Sequence, residues 1–163
     1  MSQAAPIPGA TSASVATTAA NAGVPDLLPI CRRMNEYEEL CLSVHQRLVD
    51  IPTTLDNLPD ERLKNLITNY GDRTKAFLEF LQGHTGLGAL SRLWVYRKVV
   101  TKIRSFHEQI DGINDAINTA RAAAFGSGGV IQHDPATWKE KMRTDIAAVD
   151  EQQLRAAKDE RGI

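Results

Sequence analysis

Residues 27–51 read LLPICRRMNEYEELCLSVHQRLVDI, and within them Leu27, Ile30, Met34, Tyr37, Cys41, Val44, Leu48 and Ile51 recur in steps of three and four. That spacing keeps one stripe of a helix turned toward a partner, because side chains on one helical face return at it. A second stripe follows at Leu63, Leu66 or Ile67, Tyr70, Thr74, Phe77 and Leu81, and a third at Val99, Ile103, Phe106, Ile110, Ile113 and Ile117. Three such coiled-coil-like seams predict an all-α protein, a four-helix bundle packed through these faces.

Helix punctuation divides the chain. Asp26 caps the first helix and Pro29 fits its opening turn, where the amides lack intrahelical partners. That helix is expected to run unbroken to about Asp50, with Pro52 stopping it. Pro59 opens the second, with Asp60 and Glu61 in the first turn where the helix dipole favours acids. Gly83, Gly86 and Gly88 end it after Gln82. A short helix over 87–96 and a long one over 97–124 complete the bundle, either as separate helices or divided only by a kink, since no Gly or Pro lies where they meet. Gly126, Ser127, Gly128 and Gly129 read as a flexible linker by composition. Asp134 and Pro135 then start a brace-like C-terminal helix whose thin stripe, Trp138, Met142, Ile146 and Val149, predicts loose docking or none. Residues 1–25 carry no charge and little bulky apolar surface, which predicts a disordered lead. The expected organisation is thus a lead over 1–25, a bundle over 26–125, a linker over 126–133 and the brace-like helix over 134–163.

The chain's 163 residues suit one domain, and its formal charge of -1 lacks the basic excess of a nucleic-acid binder. No nucleic-acid partner is expected. No apolar run approaches the roughly 20 residues that span a bilayer, and the opening residues lack a signal-peptide pattern. Ser2 stands where myristoylation needs Gly, and no Cys lies near the C-terminus for prenylation. The expected location is cytoplasmic, with membrane contact only peripheral. Cys31 and Cys41, read on one straight helix, would sit roughly 15 Å apart and could not bridge.

Catalytic and metal patterns are missing. A ferritin-like di-iron site needs Glu three residues before His, but Leu42, Leu81, Arg104 and Val130 precede His45, His84, His107 and His133 at that spacing. Zinc-ligand spacing is also lacking. Gly86, Leu87 and Gly88 begin like a phosphate loop, yet no strand precedes them and no Lys-Ser or Lys-Thr follows. Neither an enzyme nor a cofactor is expected.

One stretch stands apart from mixed surface charge. Between Ser91 and Ser105 the bases Arg92, Arg97, Lys98, Lys102 and Arg104 occur without an acid, interleaved with Trp94 and Tyr96. Clusters of four to eight Lys and Arg on an amphipathic helix bind anionic head groups, and an interfacial Trp anchors them. The alternative is that these bases face water or pair with acids of the first helix, such as Glu36, Glu38, Glu39 and Asp50.

Cys31, Met34, Cys41, Val44 and Arg47 also form the spacing Cys-x-x-Met-x(6)-Cys-x-x-Val-x-x-Arg. This resembles the second half of the first helix in the N-terminal four-helix bundle of the mixed lineage kinase domain-like family. Pro59, Glu61 and Leu63 open the second helix in a similar way. The resemblance covers roughly residues 27–124 and implies a signalling module. In that family the bundle binds phosphoinositides and permeabilises membranes in necroptosis once a brace helix and a pseudokinase release it. Related bundles precede tyrosine-kinase-like kinases, so a kinase with a similar bundle, self-association and anionic phospholipid are the implied partners. Of the bases, the resemblance carries over only Arg47. No Gly-rich ATP loop, Val-Ala-Ile-Lys, His-Arg-Asp or Asp-Phe-Gly occurs in this sequence, so another trigger is expected. The rival reading is a structural adaptor without lipid contact.

Overall fold

The computed structural model describes residues 26–160; the lead expected to be disordered lies outside them. Every regular element described is helical. In order they are α1 (Leu28–Arg32), a 3₁₀ turn (Asn35–Tyr37), α2 (Glu38–Thr54), α3 (Asp60–His84), α4 (Ala89–Phe125), a second 3₁₀ turn (Ser127–Gly129) and α5 (Pro135–Glu160).

The first stripe packs as its spacing requires, but not on one helix. Asn35 adopts φ 57°, a left-handed conformation that Asn tolerates better than most residues. The chain therefore leaves α1 and re-enters helix at Glu38. Short backbone bonds from Met34 to Cys31 and from Tyr37 to Met34, both 3.1 Å, carry it through the corner. Met34 and Tyr37 stay buried on either side of the break. The straight-helix separation expected for Cys31 and Cys41 therefore does not apply. Both are buried free thiols, and burial pushes Cys31 up to about 12 and Cys41 well above its ordinary range.

Pro52 does not stop α2; it sits inside the last turn, and the helix continues to Thr54. Lacking an N–H, it leaves the Leu48 carbonyl without its intrahelical donor. The Tyr70 hydroxyl of α3 donates to that oxygen at 2.9 Å. In α3, Leu66 is buried and Ile67 only partly, which decides between the two. Phe77 and Phe80 meet Phe106 edge-on at 5.2 and 5.6 Å.

Of the two alternatives for residues 87–124, separate helices or one divided only by a kink, the structure is nearer the second: a single helix of 37 residues. No Gly or Pro occurs from Ala89 through Asp111, so no backbone reason for a break exists there. Its stripe from Val99 to Ile117 is buried throughout.

The glycine run is a built turn rather than a loose linker. Gly126 ends α4 at φ 77°, and the Arg121 side chain donates to the Gly129 carbonyl at 2.7 Å. Asn118 grips the Ile131 backbone twice, donating to its carbonyl at 2.8 Å and accepting from its N–H at 2.9 Å. A Cβ on Gly129 would lie 2.6 Å from the Phe125 Cβ. This turn returns the chain along the bundle, and α5 docks: Trp138, Met142 and Val149 join the same buried cluster as the other stripes. Four long helices therefore pack up-down-up-down. Contacts of Tyr37 with Arg92, Arg47 with Asp111 and Arg121 with Thr54 show α2 and α4 running parallel. On α4, Phe106 and Gln109 face α3, whereas His107 and Asp111 face α5.

Candidate interaction surface

The seven sequence candidates divide into two groups. Arg92 and Arg47 turn inward. The Arg92 Nε atom donates to both Glu36 carboxylate oxygens at 2.9 and 3.0 Å, and its Nη1 donates to the Leu87 carbonyl at 2.7 Å. This is the helix-to-helix pairing that the alternative reading expected, realised for one base.

Arg47 lies at the junction of α2, α4 and α5. It is ion-paired to Asp111, donates to the His107 carbonyl at 3.1 Å, and faces the His107 Nδ1 at 3.1 Å. The other Asp111 oxygen accepts from the Trp138 indole at 2.9 Å. The His107 ring stacks on Trp138 with centroids 4.7 Å apart and planes within 7°. Burial, reinforced by Arg47, lowers His107 to about 4 against the opposing pull of Asp111. The ring is therefore neutral near pH 7, with Nδ1 accepting from Arg47 and the hydrogen on Nε2. Reasoning from the sequence missed this junction. Its members lie up to 64 residues apart in their direct bonds, and no local pattern links them.

Trp94, Arg97, Lys98, Lys102 and Arg104 face outward. Trp94 is 81% exposed, and Leu90 and Leu93 are 66% and 49% exposed on the same side. Among the described residues Arg97, Lys98 and Arg104 form no ion pair or side-chain hydrogen bond, while the Lys102 ammonium lies 5.5 Å from the Phe106 ring centroid. Tyr96, half-buried between them, is pushed up to about 12 by burial and then by Asp150 of α5. Leu90 and Leu93 escaped the sequence reading. Extending the helical register backward from the Val99 stripe would have placed them on the opposite face.

At the start of α4, a shallow groove runs between Ala89, Leu90 and Leu93 and the last turns of α5 at Ala156 and Ala157. Gln153 of α5 donates to the Tyr37 hydroxyl there at 3.2 Å, and that hydroxyl donates to the Arg92 carbonyl at 2.6 Å. These bonds fix the C-terminal end of α5 beside the exposed leucines.

Comparison with protein-family models, curated proteins and solved structures finds no match to this chain. The resemblance to the mixed lineage kinase domain-like bundle thus stands on its quoted residues alone. Among the described residues no helix is long and apolar enough to cross a membrane.

Proposed function

We propose that this protein is a non-enzymatic signalling module that docks peripherally on anionic membrane surfaces through the outer face of α4. The observation that carries this reading is an apolar and aromatic cluster, Leu90, Leu93 and Trp94, left exposed beside unpaired Arg97, Lys98 and Arg104. Each base near an anionic leaflet contributes about 1 kcal/mol, and Trp favours the interface. The buried, up-shifted thiols and the neutral, stacked His107 are poor starting points for nucleophilic or acid-base chemistry. The resemblance to necroptosis-effector bundles supports the same reading.

Co-sedimentation with phosphatidylcholine vesicles, with and without phosphoinositide or phosphatidylserine, tests it. Binding is expected only with anionic lipid, weakened by salt and lost in the Arg97→Glu, Lys98→Glu, Lys102→Glu triple variant at unchanged helicity. A second reading, an adaptor that binds a kinase-like partner or itself without lipid contact, is favoured by Leu154, which is 59% exposed on α5. Absence of vesicle binding by the wild type, with capture of a bundle-bearing kinase, would support that reading instead.

A further inference from the structure

Leu90, Leu93, Trp94, Arg97, Thr101 and Arg104 share one outward stripe of α4, at offsets of three, four, seven, eleven and fourteen residues from the first. A helix lying flat in a membrane interface separates its apolar and basic residues around its circumference. Here both kinds occupy the same face and are separated along the axis. The outward apolar residues lie in the first two turns of the helix, where Arg92 is turned inward to Glu36, and the outward bases start one turn later. At the helical rise, Leu90 lies about 10 Å from Arg97 and about 20 Å from Arg104. The first interval is comparable to the depth that interfacial helices reach below the head groups.

The tip itself is suited to burial. From Phe80 through Ser91 the chain carries no Asp, Glu, Lys or Arg, and the acid-free run extends to His107. The α3–α4 corner, with Gly86 at φ 79° and partly exposed Leu87, can therefore enter an interface without desolvating a formal charge. Of the six large apolar side chains exposed among the described residues, Leu90, Leu93 and Trp94 share the first turns of α4, while Leu154 lies on α5 and Val49 and Phe125 lie elsewhere. Of the acids at this end, Glu36 pairs with Arg92, Asp150 lies against Tyr96 and Glu151 pairs with Arg155, while Asp159 stands on the last turn of α5.

We infer that the bundle docks end-on: the α3–α4 corner and the outward Leu90, Leu93 and Trp94 of α4 enter an anionic bilayer, Arg97 and Lys98 sit at the level of the lipid phosphates, and Lys102 and Arg104 lie further out along the axis, on the solvent side of them. This rests on the membrane reading of the outer face and adds its orientation. Charge complementarity selects the bilayer as occupant, because the apolar tip is followed by bases alone for the next two turns.

Tryptophan fluorescence tests the orientation in the full-length chain. Vesicles of phosphatidylcholine and phosphatidylserine carry brominated acyl chains as the quencher. The Trp94→Phe variant retains only buried Trp138 and supplies the blank. Native Trp94 is compared with Thr101→Trp and Leu87→Trp, each made in the Trp94→Phe background. End-on docking predicts quenching several-fold stronger at positions 87 and 94 than at 101. Equal quenching at 94 and 101 in bound protein means a flat-lying helix and overturns the orientation while leaving the membrane reading intact. Failure of the wild type to bind these vesicles overturns both. The comparison of Trp94 with position 101 decides the matter even if the Leu87 variant does not fold.

Discussion

The Tyr70 hydroxyl donates to the Leu48 carbonyl at 2.9 Å, supplying the hydrogen bond that Pro52 cannot. One side chain thus lets a proline remain inside α2 and ties α3 to it. Removing the hydroxyl leaves a buried carbonyl unsatisfied, so Tyr70→Phe should cost about 1–3 kcal/mol. Pro52→Ala restores the missing N–H and should recover part of that loss in the double variant. Urea denaturation of the four proteins of the cycle checks it; additive effects would show that the two positions are independent.

Phe106 packs edge-on against both Phe77 and Phe80 and is 3% exposed. Phe106→Ala should destabilise the bundle by about 3–5 kcal/mol. A thermal melt reads this directly, and an unchanged midpoint would show that the buried face has been misassigned.

His107 links stability to pH. Its folded value is depressed from 6.5 to about 4, so below pH 6.5 the unfolded chain takes up a proton that the folded ring refuses. Stability should therefore fall as pH drops from about 6.5 to about 4 and level off below that, as far as this group is concerned. The loss is on the order of 3 kcal/mol. Protonation also places a cation against Arg47, opposing the junction that holds α5. Unfolding free energies across this range should slope less in His107→Gln than in the wild type; equal slopes would assign the effect to other groups.

Arg92 and Arg97 are five residues apart and should behave oppositely. Arg92→Ala breaks a pair with Glu36 that is only 22% and 11% exposed, and should cost about 1–3 kcal/mol with little effect on vesicle binding. Arg97→Ala should leave the melting temperature within experimental error and weaken vesicle binding. Parallel melts and sedimentation distinguish the two, and equal loss of binding would place Arg92 on the docking surface.

Gly129 and Gly128 separate close approach from mere composition. A Cβ at 129 meets Phe125 at 2.6 Å and the Arg121 carbonyl at 3.1 Å, whereas at 128 it meets nothing within 4 Å. Gly129→Ala should destabilise the α4–α5 turn by about 1–3 kcal/mol, and Gly128→Ala should change little. Hydrogen exchange at Ile131, whose N–H bonds Asn118, reports the turn locally. Equal protection in both variants would contradict the packing described.

Much of the architecture is written locally. The three stripes name the buried faces of α1 to α4 because three-and-four spacing and burial express the same geometry. Pro59 with Asp60 and Glu61 marks a helix start, and the acid-free bases mark a face of unusual charge. Those features depend on neighbours within a turn or two, so the linear order of residues determines them. Other features depend on partners far along the chain. Whether Pro52 ends α2 is decided by Tyr70, and whether the glycine run is loose by Asn118 and Arg121. The thin stripe of α5 holds because Trp138 finds His107 and Asp111. Arg92 and Arg97 look alike in the sequence; only packing turns one toward Glu36 and leaves the other in solvent. A hydrogen bond or ion pair across tens of residues leaves no periodic trace, so only the tertiary structure decides which polar groups are bound and which remain exposed.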